Sequence, residues 1–178
     1  MERWALAIEQ AQKVLAMNRS NAEAYGLMGD AHFAERRFDE AAAAYRQYVS
    51  LRPGDSEGLN RLGAALMIGN NASEGIAMFR RAVEVDPRNG EAQRNLATAL
   101  LDAGDLDGAS THARTAVALR PQDAVAHEML GRALAAQGLI EDAVRELERA
   151  LALDPNDEEA RAALARLSSS GSSRRPRS

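Results

Sequence analysis

Prolines recur in this chain every 34 residues, at Pro53, Pro87, Pro121 and Pro155. Each stands in the same short word: Leu51-Arg52-Pro53-Gly54-Asp55, Val85-Asp86-Pro87-Arg88-Asn89, Leu119-Arg120-Pro121-Gln122-Asp123 and Leu153-Asp154-Pro155-Asn156-Asp157. A strict period of this length calls for one supersecondary unit, stacked so that each copy buries its apolar face against the next. A stack of helical hairpins has no single cleft where chemistry would concentrate. It offers a long continuous surface for holding something.

With the proline at position 32, four complete repeats run over 22–55, 56–89, 90–123 and 124–157. Position 7 reads Met28, Leu62, Leu96, Leu130, and position 8 reads Gly29, Gly63, Ala97, Gly131. Position 20 is small throughout: Ala41, Gly75, Ala109, Ala143. Position 27 reads Tyr48, Ala82, Ala116, Ala150. Large residues at 4, 7 and 11 share one helix face with the small residue at 8. Small residues at 8 and 20 let two helices cross at close range. Asn21, Asp55, Asn89, Asp123 and Asp157 close each period and are strong N-cap types. Each proline stops the preceding helix, because it lacks the N–H that the helix needs. Gly104 and Gly138 mark the turn inside a hairpin, and Gly69-Asn70-Asn71 is read as the same turn one register earlier.

These columns resemble the tetratricopeptide repeat family. That family carries a large residue at 4, Leu at 7, Gly or Ala at 8, a large residue at 11, Ala at 20, an aromatic at 24, Ala at 27 and Pro at 32. Tyr45 and Phe79 supply the aromatic at 24. The departures are Gln93 and His127 at position 4, His32 at 11, and Ala113 and Leu147 at 24. The resemblance runs from residue 1 to about 167. It implies an all-α fold: an α-solenoid, a right-handed superhelix of stacked antiparallel helix hairpins.

At the ends the pattern is partial. Residues 1–21 match a second helix alone, with Trp4 at position 17 and Ala7 at 20, and form an expected half-repeat. Residues 158–167 read as a further first helix that caps the stack. Residues 168–178, rich in Ser, Gly and Arg, are expected to be disordered. The half-repeat leaves Trp4, Leu6 and Ile8 without their usual partner, which points to self-association. The same half-repeat also suggests a segment of a larger enzyme, in a regulatory or substrate-presenting role.

The resemblance places the family's concave peptide groove on positions 2, 5, 9, 12 and 13, opposite the packing face. Position 2 carries Glu23, Glu57, Glu91 and Val125, and position 9 carries Asp30, Ala64, Thr98 and Arg132. The apolar residues Phe33, Met67 and Leu101, with Ile68 beside them, have two readings. One is a greasy floor for a peptide; the other is contact between neighbouring first helices. Asn60, Arg61, Arg94, Asn95 and Arg132 either hold a peptide backbone or carboxylate, or form a solvated face paired with Glu57, Glu91 and Glu128. The candidate groove is thus Asp30, Phe33, Asn60, Arg61, Met67, Ile68, Arg94, Asn95, Thr98, Leu101, Glu128 and Arg132. The family's clamp for acidic chaperone C-termini is not reproduced, since Thr98 and Met129 follow Arg94 at its Asn positions. Position 6 reads Leu27, Arg61, Asn95, Met129, so the family's asparagine ladder is not there either.

Charge and composition narrow the function. The formal charge is −4, and Arg174, Arg175 and Arg177 in the tail contribute positively to it. The rest is more acidic still, which argues against a nucleic-acid partner. No run is long and apolar enough for a membrane span. The three histidines, His32, His112 and His127, share no metal-ligand spacing, and the carboxylates form no evident acid/base pair. His32 and His127 read as satisfied core residues. No catalytic residue, cofactor or metal is expected. The expectation is a non-enzymatic scaffold for a peptide or protein partner. Its expected location is cytoplasmic, or periplasmic if a segment precedes Met1.

Overall fold

The computed structural model describes residues 2–172. They form ten α-helices: α1 Glu2–Met17, α2 Ala22–Ala34, α3 Phe38–Leu51, α4 Ser56–Ile68, α5 Ala72–Val85, α6 Gly90–Asp102, α7 Leu106–Leu119, α8 Ala124–Ala136, α9 Ile140–Leu153 and α10 Glu158–Ser172. The fold is an all-α solenoid of helix hairpins, with α2 packed on α3, α4 on α5 and α8 on α9. The described residues divide into two compact units, one ending at Ala92 and one starting at Gln93. The N-terminal unit buries Ala41, Tyr45, Leu59, Leu62, Leu66 and Ala82 in one cluster. The C-terminal unit buries Ala97, Ala113, Met129, Leu130 and Leu134 in one cluster and Leu147, Ala150 and Ala160 in another.

Every first helix starts at a side-chain cap. Asn21 accepts from the Ala24 N–H at 2.9 Å, Asp55 from Glu57 at 3.0 Å, Asn89 from Ala92 at 3.0 Å, Asp123 from Ala126 at 3.2 Å and Asp157 from Ala160 at 2.9 Å. Each cap satisfies an orphan N–H and is worth about 0.5–2 kcal/mol.

The turn inside each hairpin keeps one register. Position 15 has positive φ in all four repeats: Arg36 at 61°, Asn70 at 61°, Gly104 at 81° and Gly138 at 80°. The next N–H reaches back to the carbonyl of position 11, from Arg37 to His32, Asn71 to Leu66, Asp105 to Leu100 and Leu139 to Leu134, each at 2.9 Å. This 6→1 bond closes a helix through a left-handed residue. Asn70, not Gly69, fills that role in the second repeat, so its turn is not displaced by one register. Asn tolerates the left-handed conformation well enough to replace Gly.

Within a hairpin the two helices cross where positions 8 and 24 meet, and their sizes are reciprocal. A Cβ on Gly63 would stand 2.7 Å from the Phe79 ring, and one on Gly131 would stand 2.6 Å from Leu147. Gly29 likewise lies directly under Tyr45. In the third repeat both residues are alanine, and Ala97 and Ala113 share a buried cluster. The absence of an aromatic at 113 is therefore matched across the crossing. Tyr48 obeys the same logic: it occupies a column that is otherwise alanine, and Gly26 and Gly58 make room for it on either side.

The polar departures at position 4 are also paired. Gln93 Oε1 lies 2.7 Å from His112 Nδ1, and His127 Nδ1 lies 2.7 Å from Glu146 Oε2. Both pairs join positions 4 and 23 of one hairpin. The second ring nitrogen of His127 faces the Pro121 carbonyl at 3.3 Å, so this histidine is satisfied as expected. His32 is not. It is buried, and its Nδ1 has no hydrogen-bond partner among the described residues. Burial, helped by the nearby Arg37 charge, lowers its pKa from the ordinary value of 6.5.

The last helix does not stop at 167. Ser168 Oγ donates to the Leu164 carbonyl at 3.0 Å and Ser169 Oγ to the Arg166 carbonyl at 2.8 Å. Serine hydroxyls can bond carbonyls of the preceding turn of their own helix in this way. Residues 168–172, expected to be disordered, thus continue α10. The remainder of that segment, 173–178, lies outside the described residues.

Two predictions follow from the packing. Gly63→Ala should destabilise by about 1–3 kcal/mol through overpacking, and Phe79→Ala by roughly 3–5 kcal/mol. The double variant reproduces the Ala97/Ala113 crossing. In chemical denaturation it should be less destabilised than the sum of the singles by at least about 1 kcal/mol; strict additivity would contradict reciprocal sizing. His32→Leu restores the leucine of Leu66, Leu100 and Leu134 and removes a buried unsatisfied nitrogen. It should stabilise by about 1–3 kcal/mol at neutral pH. A depressed histidine pKa means that the unfolded chain binds more protons, so wild type loses stability as pH falls below about 6.5. His32→Leu should lose less over that interval, and parallel curves would refute the assignment.

Candidate functional site

The first helices carry the residues selected from sequence, and the structure sorts them into distinct environments. In the N-terminal unit, Asp30 and Phe33 from α2 and Asn60 and Arg61 from α4 line one hollow of about 210 Å³. Tyr45, Glu57, Ala64 and Glu91 complete its wall. Ala64 is a small residue in this wall, and the same position holds Asp30, Thr98 and Arg132 in the other repeats.

A hydrogen-bonded chain fixes its rim. Tyr45, buried beneath, donates its hydroxyl to Asp30 Oδ1 at 2.7 Å. Arg61 Nη1 reaches the two oxygens of Asp30 at 3.1 and 3.2 Å, while its Nε donates to Glu57 at 3.0 Å. Burial and the adjacent carboxylate push the Tyr45 phenol far above its ordinary pKa, so it stays a donor. Tyr48 similarly bonds Asp55, the cap of α4. Asn60 is 2% exposed and belongs to the packed wall more than to the open surface.

Met67 and Ile68 do not line this hollow. Met67 lies over Gly75, 2.9 Å from where a Cβ would stand, and so fills the crossing between α4 and α5. Ile68 is 49% exposed. Phe33 meets Phe38 edge to face at 5.3 Å and packs on the unit's core.

In the C-terminal unit the selected arginines are held by carboxylates. Arg94 reaches Asp123 at 3.0 Å, and Arg132 bridges Glu128 at 3.0 Å and Glu159 at 2.8 Å. Glu128 is buried, and burial raises its pKa despite Arg132. Thr98 donates to the Arg94 carbonyl at 3.1 Å, inside its own helix. Leu101 packs against the core cluster, and Asn95 is half-buried. Each of the three arginines is thus paired with a carboxylate: Arg61 with Asp30 and Glu57, Arg94 with Asp123, and Arg132 with Glu128 and Glu159. In the apolar column, Met67 packs against the second helix of its own hairpin and not against a neighbouring first helix, and Leu101 packs on the core cluster.

A second, larger hollow of about 840 Å³ lies at the turn end of this unit, lined by Asp105, Leu106, Ser110, Arg114, Gln137 and Leu139 among others. Gln137 spans it, donating to Asp107 at 2.7 Å and to the Leu106 carbonyl at 3.3 Å. Position-by-position reading missed this hollow because it is built from turns, which carry no apolar period. Tyr45 was visible only as a packing aromatic; its hydroxyl, reaching position 9 of its own hairpin, is the signal that ties it to the site. No described helix is long and apolar enough to cross a membrane.

One tetratricopeptide repeat model matches residues 1–56 and 60–124, and another matches 100–167. A search of curated proteins finds no match. YrrB, described as a TPR protein with an unusual peptide-binding site, is 22% identical with a TM-score of 0.78; 91% of this chain and 84% of that one are covered. MamA from Desulfovibrio magneticus RS-1 is 20% identical with a TM-score of 0.78, covering 85% of each chain. The first TPR of Spaghetti (RPAP3), bound to the HSP90 peptide SRMEEVD, is 26% identical with a TM-score of 0.63; 66% of this chain and 94% of that one are covered. With family models spanning the greater part of its length and the same hairpin fold in each of these structures, the chain belongs to the tetratricopeptide repeat family.

Proposed function

We propose that the chain is a non-enzymatic scaffold that binds a peptide or protein partner along the first helices of its repeats. The observation that carries this reading is the open hollow between α2 and α4, where Phe33 and Ala64 present apolar surface inside a rim of Asp30, Glu57 and Arg61. A concave apolar site with a few fixed polar groups is the usual form of a ligand site. The peptide-bound RPAP3 repeat supports the class of partner, not its identity. An acidic C-terminal peptide of the kind bound there is not the proposed ligand, because the clamp residues are replaced here. In the C-terminal unit, taken by itself, Arg94, Asn95, Thr98 and Arg132 are proposed as a separate contact set, with Glu128 and Leu101 supporting it from beneath.

A second reading has its own observation. On α1, Leu6 is 56% exposed and Met17 is 86% exposed. That apolar surface favours self-association through the N-terminal half-repeat, and light scattering across a concentration series separates a monomer from a dimer.

The test of the first reading is affinity capture from source lysate with three baits: wild type, Ala64→Trp and Thr111→Trp. Ala64→Trp fills the hollow; Thr111→Trp places the same bulk at the turn-end hollow. The expected result is a protein retained by wild type and Thr111→Trp and bound at least about tenfold more weakly by Ala64→Trp, with helical circular dichroism unchanged in all three. Equal retention by all three baits would overturn the placement.

A further inference from the structure

We propose that the hollow between α2 and α4 receives a basic side chain, arginine or lysine, from a peptide segment of the partner. The inference rests on the binding role proposed above and specifies its chemistry. Three carboxylates, Asp30, Glu57 and Glu91, line the hollow against one guanidinium, Arg61, so its lining is predominantly acidic. The Arg61 charge is already matched by Asp30 and Glu57. An acidic side chain would be desolvated beside three like charges, which disfavours it strongly.

The rest of the hollow suits a long cationic side chain. At about 210 Å³ it is on the scale of one such chain and below the roughly 300–1,000 Å³ of sites for drug-sized ligands. The Phe33 ring and Ala64 offer apolar surface for the methylene stem. Asp30 keeps a fixed orientation because Tyr45 and Arg61 both donate to it, so the charge is placed before the ligand arrives.

The repeats also differ in a way that confines this chemistry. Position 9 is alanine only at Ala64; Thr98 and Arg132 occupy it in the two repeats that follow. In the last repeat, Arg132 puts a cation where the hollow would be, and Val125 replaces the position-2 glutamate. The basic side chain is therefore assigned to the N-terminal unit alone.

The test uses the full chain and a phage-displayed library of random heptapeptides. Selected peptides should share an arginine or lysine at one aligned position. A fluorescein-labelled selected peptide should bind Asp30→Asn and Glu57→Gln each about three- to tenfold more weakly than wild type, and Glu141→Gln no differently. Raising salt from 0.05 to 0.5 M should weaken wild-type binding more than that of Glu57→Gln. Glu57 is exposed and only rim-bound, so its variant keeps the test valid if Asp30→Asn fails to fold. Selected peptides with no common basic position, or equal affinity for all variants, would overturn this inference and leave peptide binding standing. Recovery of no binding peptide at all would overturn both.

Discussion

Everything in this molecule depends on two helices passing close enough for the side chain at position 24 to fill the space left at position 8. That distance is set by volume, and the chain satisfies it in two ways. Glycine lies under Tyr45, Phe79 and Leu147, and alanine lies beside alanine at 97 and 113. Either solution leaves the interior filled, which matters because both cavities and overpacking are costly in a close-packed core. Once the crossing is fixed, the five Asn and Asp caps and the left-handed residue at position 15 only have to start and stop the helices. The remaining face of each first helix is then free to vary without disturbing the hairpin, which is what allows a repeat protein to carry a site.

The family and the all-α solenoid were legible in sequence because both rest on periodic quantities: the proline spacing, the small residues at 8 and 20, and the caps. What was not legible is pairwise. Position 15 holds Arg36, Asn70, Gly104 and Gly138, and only two of these announce a left-handed turn, so the second turn was placed one register out. The Gln93–His112 and His127–Glu146 pairs look like departures at position 4 until position 23 is read beside it. His32 has no such partner, and nothing in its column distinguishes it from a satisfied histidine.

The site was legible in part for the same reason. Asp30, Phe33, Asn60 and Arg61 were selected from separate columns, and the fold brings those four to one hollow. Their state was not predictable column by column. Arg61 is held by two carboxylates, Asn60 is sunk in the wall, and Met67 turns into its own crossing over Gly75. Neighbours on other helices decide these outcomes: Asp30 lies 31 residues from Arg61, and Gly75 lies across the crossing from Met67. Both are invisible to a helix-face count. The carboxylates lie around Ala64 in the N-terminal unit, whereas Thr98 and Arg132 hold the same position in the C-terminal unit, although both units are built on the same hairpin.

The measurement closest to the central claim is native-state hydrogen exchange resolved to single amides. If the crossing holds each hairpin together, the slowest amides in every complete repeat lie on the two turns that meet there, around Gly29 and Tyr45, Gly63 and Phe79, Ala97 and Ala113, and Gly131 and Leu147. Amides of the position-15 turns then exchange through small local openings. Protection that instead peaks at the capped helix ends, or runs evenly along the helices, would contradict the account.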